Sequence, residues 1–401
     1  MIYLDNNAGT PLVPEVAEAM RPFLGDRPGN PASSHRFGRQ ARQALEDARE
    51  RIAQLLDAHP DEVLFTSGAT EANNLAIFGL VRREPGTVIT SAVEHPSVLE
   101  PVRRLAEEGY DPLMLPVMRI GSVDLDRVDF PEPTCLVSVM LANHETGAVQ
   151  PIERLAARLD GRAPFHCDAA AAAGKLPISF RHLGVTALTI SGHKIHGPPG
   201  IGALLVKRQT RLRPLFWGGH QQHGHRPGTE SVALAVGLAT ALEWCERNRE
   251  CHQAKVARLR QRFLDGLRRS AAPIILNGPA EGGVANTINV SFPDCPADVL
   301  LMKLDLAGVA CSTGSACSSG SLLRSPVLEA MGISSDLLGS AMRFSLSTLL
   351  REAEIEEAVR RISQCANELR NDCTENPLKP QGESSSLGDE NPTGPNNDPR
   401  I

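Results

Sequence analysis

The chain has 401 residues, a formal net charge of −6, 41% hydrophobic residues and 22% charged ones, which is too long for one ordinary domain and fits two or three globular ones. It has no run of about 18 apolar residues, which speaks against a membrane span. Its mild acidity and 4% aromatic content supply neither the basic field nor the stacking platforms of a general nucleic-acid binder.

The N-terminus, Met1-Ile2-Tyr3-Leu4-Asp5-Asn6, lacks the basic-then-apolar order of a secretory leader. Residues 1–14, apolar and Pro-punctuated, read as an arm that packs with a small C-terminal domain. Apolar residues recur at helical spacing over 15–24 and 37–56, the second run being rich in the good helix formers Ala, Arg, Gln and Glu. The pattern then alternates. Val63-Leu64-Phe65 reads as a strand, followed by Thr66-Ser67-Gly68 and a helix over 69–83. A strand at 87–90 precedes a helix at 96–108, and further strands are expected at 136–140, 165–167, 187–190 and 202–206. Short apolar runs between helices predict an α/β domain on a mainly parallel sheet, here over 15–250. One long helical region, broken once, is expected at 233–269. A strand at 287–291, a helix at 297–306, a Gly/Ser-rich loop at 312–321, another helix, a strand at 342–346 and a last helix at 352–370 make a smaller α+β domain, 251–374. Residues 375–401 hold five prolines, three glycines and a Ser-Ser-Ser run, and read as a disordered tail.

Four strand ends carry chemistry. Ser191-Gly192-His193-Lys194 follows an apolar strand, and ligands of open α/β sheets sit beyond the carboxyl ends of strands. A desolvated lysine there forms Schiff bases readily; taken alone, Lys194 reads better as a surface lysine in a loop. Asp168 ends a second strand, where a carboxylate pairs with a protonated pyridine nitrogen or simply caps the Ala-rich stretch after it. Thr66 to Glu71, with Gly68, Ala69 and Thr70 at a helix start, makes a phosphate cup or a plain capping motif. His95 follows a fourth strand. Together these four match the protein side of pyridoxal phosphate (PLP) catalysis. A fifth feature is the loop Cys311 to Ser321, whose small polar residues put Cys317 on a flexible support. By itself it reads as a thiol carrier or a linker in equal measure. The nine cysteines, an odd number without a CxxC pair, read as reduced thiols.

With these residues in place, the sequence resembles the cysteine desulfurases of the class-V aminotransferase-like PLP enzymes, from Tyr3 to about residue 370. The resemblance runs through Leu4 to Thr10, Gly29 to His35, Thr66 to Asn74, Glu94-His95, Asn143, Asp168, Ser191 to Gly197, Arg226 to Glu230, Gly314 to Cys317 and Arg343 to Leu346. The short loop around Cys317 is similar to the subgroup that serves iron–sulfur cluster assembly. The resemblance implies the fold type I of PLP-dependent transferases, with a seven-stranded, mainly parallel sheet. It implies Lys194 holding PLP covalently, His95 on the ring face, Asp168 at the pyridinium nitrogen and Asn143 near the phenolic oxygen. Gly68, Ala69, Thr70, Ser191 and His193 would bind the phosphate, with Thr229 reaching it from the partner of a homodimer. Arg343, helped by Asn30, would bind the carboxylate of L-cysteine. Cys317 would take its sulfur as a persulfide, alanine would leave, and a sulfur-acceptor protein, such as an iron–sulfur scaffold or sulfur carrier, would receive the sulfur in the cytoplasm. No metal is implied.

Three departures stand out. Ala171 replaces the family's usual Gln three residues after the Asp, His144 replaces its second Asn, and His220-Gln221-Gln222-His223-Gly224-His225 is His-rich. The last reads as a polar loop near a dimer interface rather than a metal site, since no acidic or Cys ligand flanks it. Two other readings stay open: a selenocysteine lyase or other class-V enzyme, and a PLP-binding, low-activity paralogue that partners sulfur carriers.

Overall fold

The structure, a computed structural model, describes residues 1–25, 29–314 and 324–375, the last three by backbone alone. In chain order, β1 (Ile2–Tyr3) leads to α1 (Pro14–Met20) and α2 (Arg36–Leu55). β2 (Val63–Thr66) runs into α3 (Ala69–Leu80), and β3 (Thr87–Ser91) into α4 (Pro96–Glu107) and β4 (Asp111–Leu115). β5 (Thr134–Ser138), α5 (Ile152–Leu159), β6 (Phe165–Asp168), α6 (Phe180–Leu183), β7 (Ala187–Ser191), β8 (Gly202–Val206) and α7 (Val232–Arg247) follow.

Seven of these strands form one sheet in the order β2-β8-β7-β6-β5-β3-β4. Only β8 is antiparallel to its neighbours, so six strands point their carboxyl ends to one rim. Both faces are covered, and the period-two alternation of a strand divides each apolar run between two cores. Val88, Leu136, Ala187 and Leu204 pack with Leu75 and Ile77 of α3 on one face. Their neighbours Ile89, Val137, Leu188 and Leu205 pack with Ile52 of α2 and Leu242 of α7 on the other.

The helical stretch expected at 233–269 is two helices, α7 and α8 (Arg249–Ser270), separated at Asn248, whose side chain donates to Trp244 O at 2.8 Å. There the chain passes to a second core. It is built by α8, β9 (Ile275–Leu276), β10 (Thr287–Ser291), α9 (Ala297–Leu306), β11 (Val309–Ala310), α10 (Pro326–Ala330), α11 (Ser335–Leu338), β12 (Ala341–Ser345) and α12 (Glu352–Glu375). β12, β10 and β9 form an antiparallel sheet. Phe344 of β12 sits 5.1 Å from Phe263 of α8 and 6.4 Å from Phe292, in tilted and edge-on contacts that favour aromatic pairs.

The N-terminal arm links the two cores. β1 pairs in parallel with β11, and Leu4 is buried in the second core. Asn6 and Asn7 then bond to Ser345, and Thr10 donates twice to His193 O, from its N–H at 2.8 Å and its hydroxyl at 2.9 Å. β4 was not expected from sequence. It is an edge strand, mostly exposed, whose Asp111-Pro112 start is poor in strand formers and lacks the periodic apolar pattern. The last helix extends five residues past the expected 370; the tail over 376–401 lies outside the described residues.

Candidate active site

Because β2, β3, β6 and β7 run parallel, the segments after them meet on one rim. Asp168, at the end of β6, is 6% exposed, and its carboxylate is held by two donors: Asn73 Nδ2 at 2.7 Å and the Ala170 N–H at 2.9 Å. Asn73, on α3, also donates to Ser97 Oγ at 2.8 Å, and that hydroxyl lies 2.8 Å from His95 Nδ1. One hydrogen-bonded chain, Asp168–Asn73–Ser97–His95, therefore ties three strand ends together. His95 caps α4 through the Ser97 N–H. Its neighbour Glu94 is buried, accepts from Met140 N and Ser91 Oγ, and so fastens the turn after β3 to the end of β5.

Lys194 stands in a helical turn directly after β7, and its ammonium donates to Asn7 O of the arm. Burial lowers the pKa of His95; Lys194 adds to the effect and Asp168 opposes it. His193 is pushed down to about 4 by burial and by the charges of Lys194 and Lys175. Both imidazoles are thus neutral at neutral pH, while Lys194 and Asp168 supply opposite charges beside them.

The cup after β2 is shaped by two glycines. Gly68, at φ +154°, adopts a backbone that side chains rarely take. Gly202 lies between it and Ser191, paired with Ser191 in β7 and Thr66 in β2. A Cβ at 202 would stand 2.9 Å from Gly68 Cα and 2.7 Å from Ile190 O, so only glycine lets the cup close on β7. The first-turn N–H groups of Ala69 and Thr70 have no intrahelical acceptor and mark an anion site. Across from them the Ser191 hydroxyl meets His193 Nδ1 at 3.0 Å. Arg226 grips Glu71 of α3 at 2.7 and 3.2 Å, and Glu71 also accepts from Ser67 N. Burial works against the ionised Glu71, yet the Arg226 and Ser67 bonds outweigh it and hold its pKa low. This pair anchors the Arg226–Thr229 loop beside the cup; Thr229 itself is exposed.

Arg343 comes from the other core. It is 2% exposed, ion-paired with Asp5 at 2.9 Å, and its Nε has no hydrogen-bond partner. Its backbone pairs both ways with Ser312, at 3.1 and 2.6 Å, at the base of the loop that leads to Cys317. The two flanks of that loop meet on buried Glu145: Ser325 Oγ donates to it at 2.6 Å, and a Cβ on Gly314 would lie 2.1 Å from its Oε2. Cys317 lies outside the described residues. Cys311, at the loop's start, is pushed up to about 12 by burial, so its thiol stays protonated.

The expected residues therefore divide. Lys194, Asp168, His95, His193, Ser191, Gly68, Ala69 and Thr70 gather on the rim, and Arg343 lies near enough to His144, which meets the His95 ring, for its charge to help lower the His144 pKa. Asn143 is close by, but its amide is spent within the protein. It accepts from the Glu145 and Thr146 N–H groups at 2.9 Å and donates to Val93 O at 2.9 Å, stapling its turn to the segment that holds His95. Asn30 is exposed and accepts from Ala32 N; it makes no hydrogen bond to the group. His144 meets His95 edge to face at 5.2 Å. Burial, then His95, Arg343 and Lys194, keep it neutral, and its Nδ1 has no partner. Ala171 packs against the first core, and its carbonyl accepts from Lys175 Nζ at 3.0 Å. In the His-rich loop it is Gln222 that sets the conformation: its amide pairs with both backbone groups of Phe65 on β2, at 2.6 and 2.8 Å. No metal-binding group of three or more His, Cys, Asp or Glu forms among the described residues.

Sequence reasoning gave no role to Asn73, Asp5, Asn7 or Glu145. Asp5, Asn7 and Asn73 lie in stretches that carried the resemblance, which was the available signal; Glu145 had none beyond its place beside His144. The donor set as a whole suits a phosphorylated pyridine aldehyde. A helix N-terminus with serine and histidine suits the phosphate, a buried carboxylate the ring nitrogen, an imidazole the ring face, and a lysine the carbonyl carbon.

Residues 2–357 match the family described as Aminotransferase class-V. A cysteine desulfurase from Trichormus azollae is 43% identical over 375 residues, covering 92% of this chain and 94% of that protein. The cysteine desulfurase NifS from Azotobacter vinelandii is 40% identical over 376 residues, with coverage of 92% and 94%. A solved NifS-like protein superposes with a TM-score of 0.84 at 33% identity, covering 92% of this chain and 99% of that one.

Proposed function

The chain belongs to the class-V aminotransferase family, and from that premise we infer that it is a cysteine desulfurase, removing sulfur from L-cysteine and leaving L-alanine. The observation that carries the reading is the meeting of Lys194, Asp168 and His95 on one rim, joined by the Asp168–Asn73–Ser97–His95 chain. We propose PLP as the cofactor, held at Lys194, Asp168, His95 and the Gly68–Thr70, Ser191 and His193 cup. When bound, PLP supplies the electron sink for the charge left when a proton leaves the substrate's Cα.

The protein's own groups do the rest. Arg343, buried and pre-set by Asp5, binds the substrate carboxylate. Lys194 Nζ, held near the arm at Asn7 O, takes and returns the Cα proton once substrate has displaced it from its covalent role. His95, neutral in its buried setting, moves protons nearby. Cys317, as thiolate, attacks the substrate sulfur: an S–S bond forms, the Cβ–S bond breaks, and the carbon skeleton takes up a proton and leaves as alanine. The persulfide on Cys317 then passes its outer sulfur to an acceptor protein for iron–sulfur cluster or other thio-cofactor assembly.

A homodimer is part of this proposal, because Thr229 is exposed and stands on a loop fastened to the phosphate cup, where a second copy would use it. The described cysteines are all free thiols, which supports a reducing, cytoplasmic setting. Two units are proposed, the larger over 15–250 and the smaller over 251–374. The test is direct: protein incubated with L-cysteine should release alanine and gain one sulfur on Cys317 by mass spectrometry, and Cys317→Ala should abolish both. Full alanine release from Cys317→Ala would overturn the reading.

A further inference from the structure

A cavity of about 360 Å³ lies between the two cores and shares only Lys194 with the strand-end group. Its size is more than twice the roughly 150 Å³ that admits benzene in an engineered core. Val256 and Leu346 line it from the second core; Trp244, with the His252 ring 4.5 Å away and the His196 ring 5.2 Å away, lines it from α7 and its surroundings. Two lysines line it, and Lys194 is turned to Asn7 O of the arm. Lys175 donates to Ala171 O at 3.0 Å and Lys194 O at 3.4 Å, and makes no ion pair; no Asp or Glu among the described residues lines the cavity. A half-buried cation bonded to carbonyls alone gains from an anion. Burial and the nearby Lys194 accordingly lower the pKa of Lys175, to about 8.

We propose that this cavity is a second ligand site, which takes a small aromatic carboxylate with its ring against Trp244 and its carboxylate on Lys175. Largely apolar walls, an indole face and the Lys175 ammonium, beside a Lys194 engaged by the arm, fit that class and reject a neutral analogue. The inference does not depend on the desulfurase reading, since it uses none of the sulfur chemistry.

The chain has two tryptophans, Trp217 and Trp244, so Trp217→Phe holoenzyme reports Trp244 alone. Sodium benzoate should change its emission saturably and bind at least about tenfold tighter than benzamide, the worth of a charge-assisted contact. Lys175→Met should erase the preference, and Arg343→Gln, which alters the other carboxylate site, should leave it intact. Ala257→Phe, at the cavity mouth with Lys175 untouched, should weaken both probes about tenfold and serves if Lys175→Met does not fold. Equal binding of the two probes, no saturable change, a preference that survives Lys175→Met or vanishes with Arg343→Gln, or indifference to Ala257→Phe would each overturn the proposal.

Discussion

The two sides of the active site are built by opposite means. On the rim, Asp168, His95, His193 and Lys194 each stand within a few residues of a buried strand of one sheet, so the backbone places them. On the facing side, Arg343 sits within a short antiparallel strand and is oriented by a residue 338 positions away, Asp5 of the arm. The rim is set by a sheet that must form for the chain to fold at all. The facing side depends on a two-residue strand, β1, and on one ion pair. Chemistry confined to the rim should therefore fail outright when its groups are removed, while substrate binding on the facing side should degrade by steps.

Lys194→Ala tests the rim most severely. With no group left to hold the cofactor covalently or move the Cα proton, alanine release should fall at least about 10³-fold. The visible absorbance of the lysine-bound cofactor should vanish as well, while the thermal unfolding midpoint changes little. A mutant within tenfold of wild type would mean that the rim is not the reacting centre. Asp5→Asn tests the facing side. Arg343 stays buried but loses its ionic partner, so KM for L-cysteine should rise about tenfold, one charge-assisted contact's worth, with kcat within threefold. A kcat loss equal to that of Lys194→Ala would erase the distinction between the two sides.

The same contrast explains what the sequence revealed. Strand ends are local: an apolar run, a turn and a functional letter follow each other, so Lys194, Asp168, His95 and the Gly68 cup are legible by pattern. The parallel sheet is legible because its strands are continuous apolar runs buried on two faces. Partners across the fold are not local. Nothing near Arg343 points to Asp5, and Asn73 reads as an ordinary helix residue until α3 brings it to Asp168. Asn143 shows the converse, where a polar residue in the right neighbourhood spends its amide on its own turn. The break at Asn248 was half legible, because two helices of good formers run together until packing on different cores separates them.

Glu94 tests the rim as a stability device. Burial, with a small push from Asp168, raises its pKa to about 8 against the bonds from Ser91 and Met140, so the folded state holds a proton that the unfolded state releases near 4.5. A raised carboxyl supports the fold fully below 4.5, and that support is lost as pH rises through about 8. His166, buried and bonded to Ser138 and Thr189, is pushed down to about 4 and works in the other direction between about 4 and 6.5. The two oppose each other in that lower window, and Lys175, lowered to about 8, opposes Glu94 only as pH nears 8, which leaves about pH 6.5 to 7.5 mainly to Glu94. There the unfolding free energy should fall by up to about 1.4 kcal/mol per pH unit, the linkage slope of one proton. Glu94→Gln should flatten the slope in denaturant titrations at pH 6.5, 7 and 7.5. An unchanged slope would show that Glu94 is ionised in the fold.

His144 gives the smallest and most discriminating effect, since it lies where the two sides meet. Its ring braces His95 edge to face, an arrangement worth roughly 0.5–1.5 kcal/mol. Its unpartnered Nδ1 costs about 1–3 kcal/mol. His144→Asn removes both, so stability should stay within about 1 kcal/mol of wild type. Activity should fall only about two- to fivefold, in kcat rather than KM, because His95 loses a brace and not a partner in proton transfer. With its pKa held well below the usual imidazole range by burial, His144 should also leave the pH–rate profile around neutral pH unmoved when it is replaced. A loss beyond about 100-fold, or a shifted profile, would place His144 in contact with the reacting atoms and move the boundary between the two sides onto it.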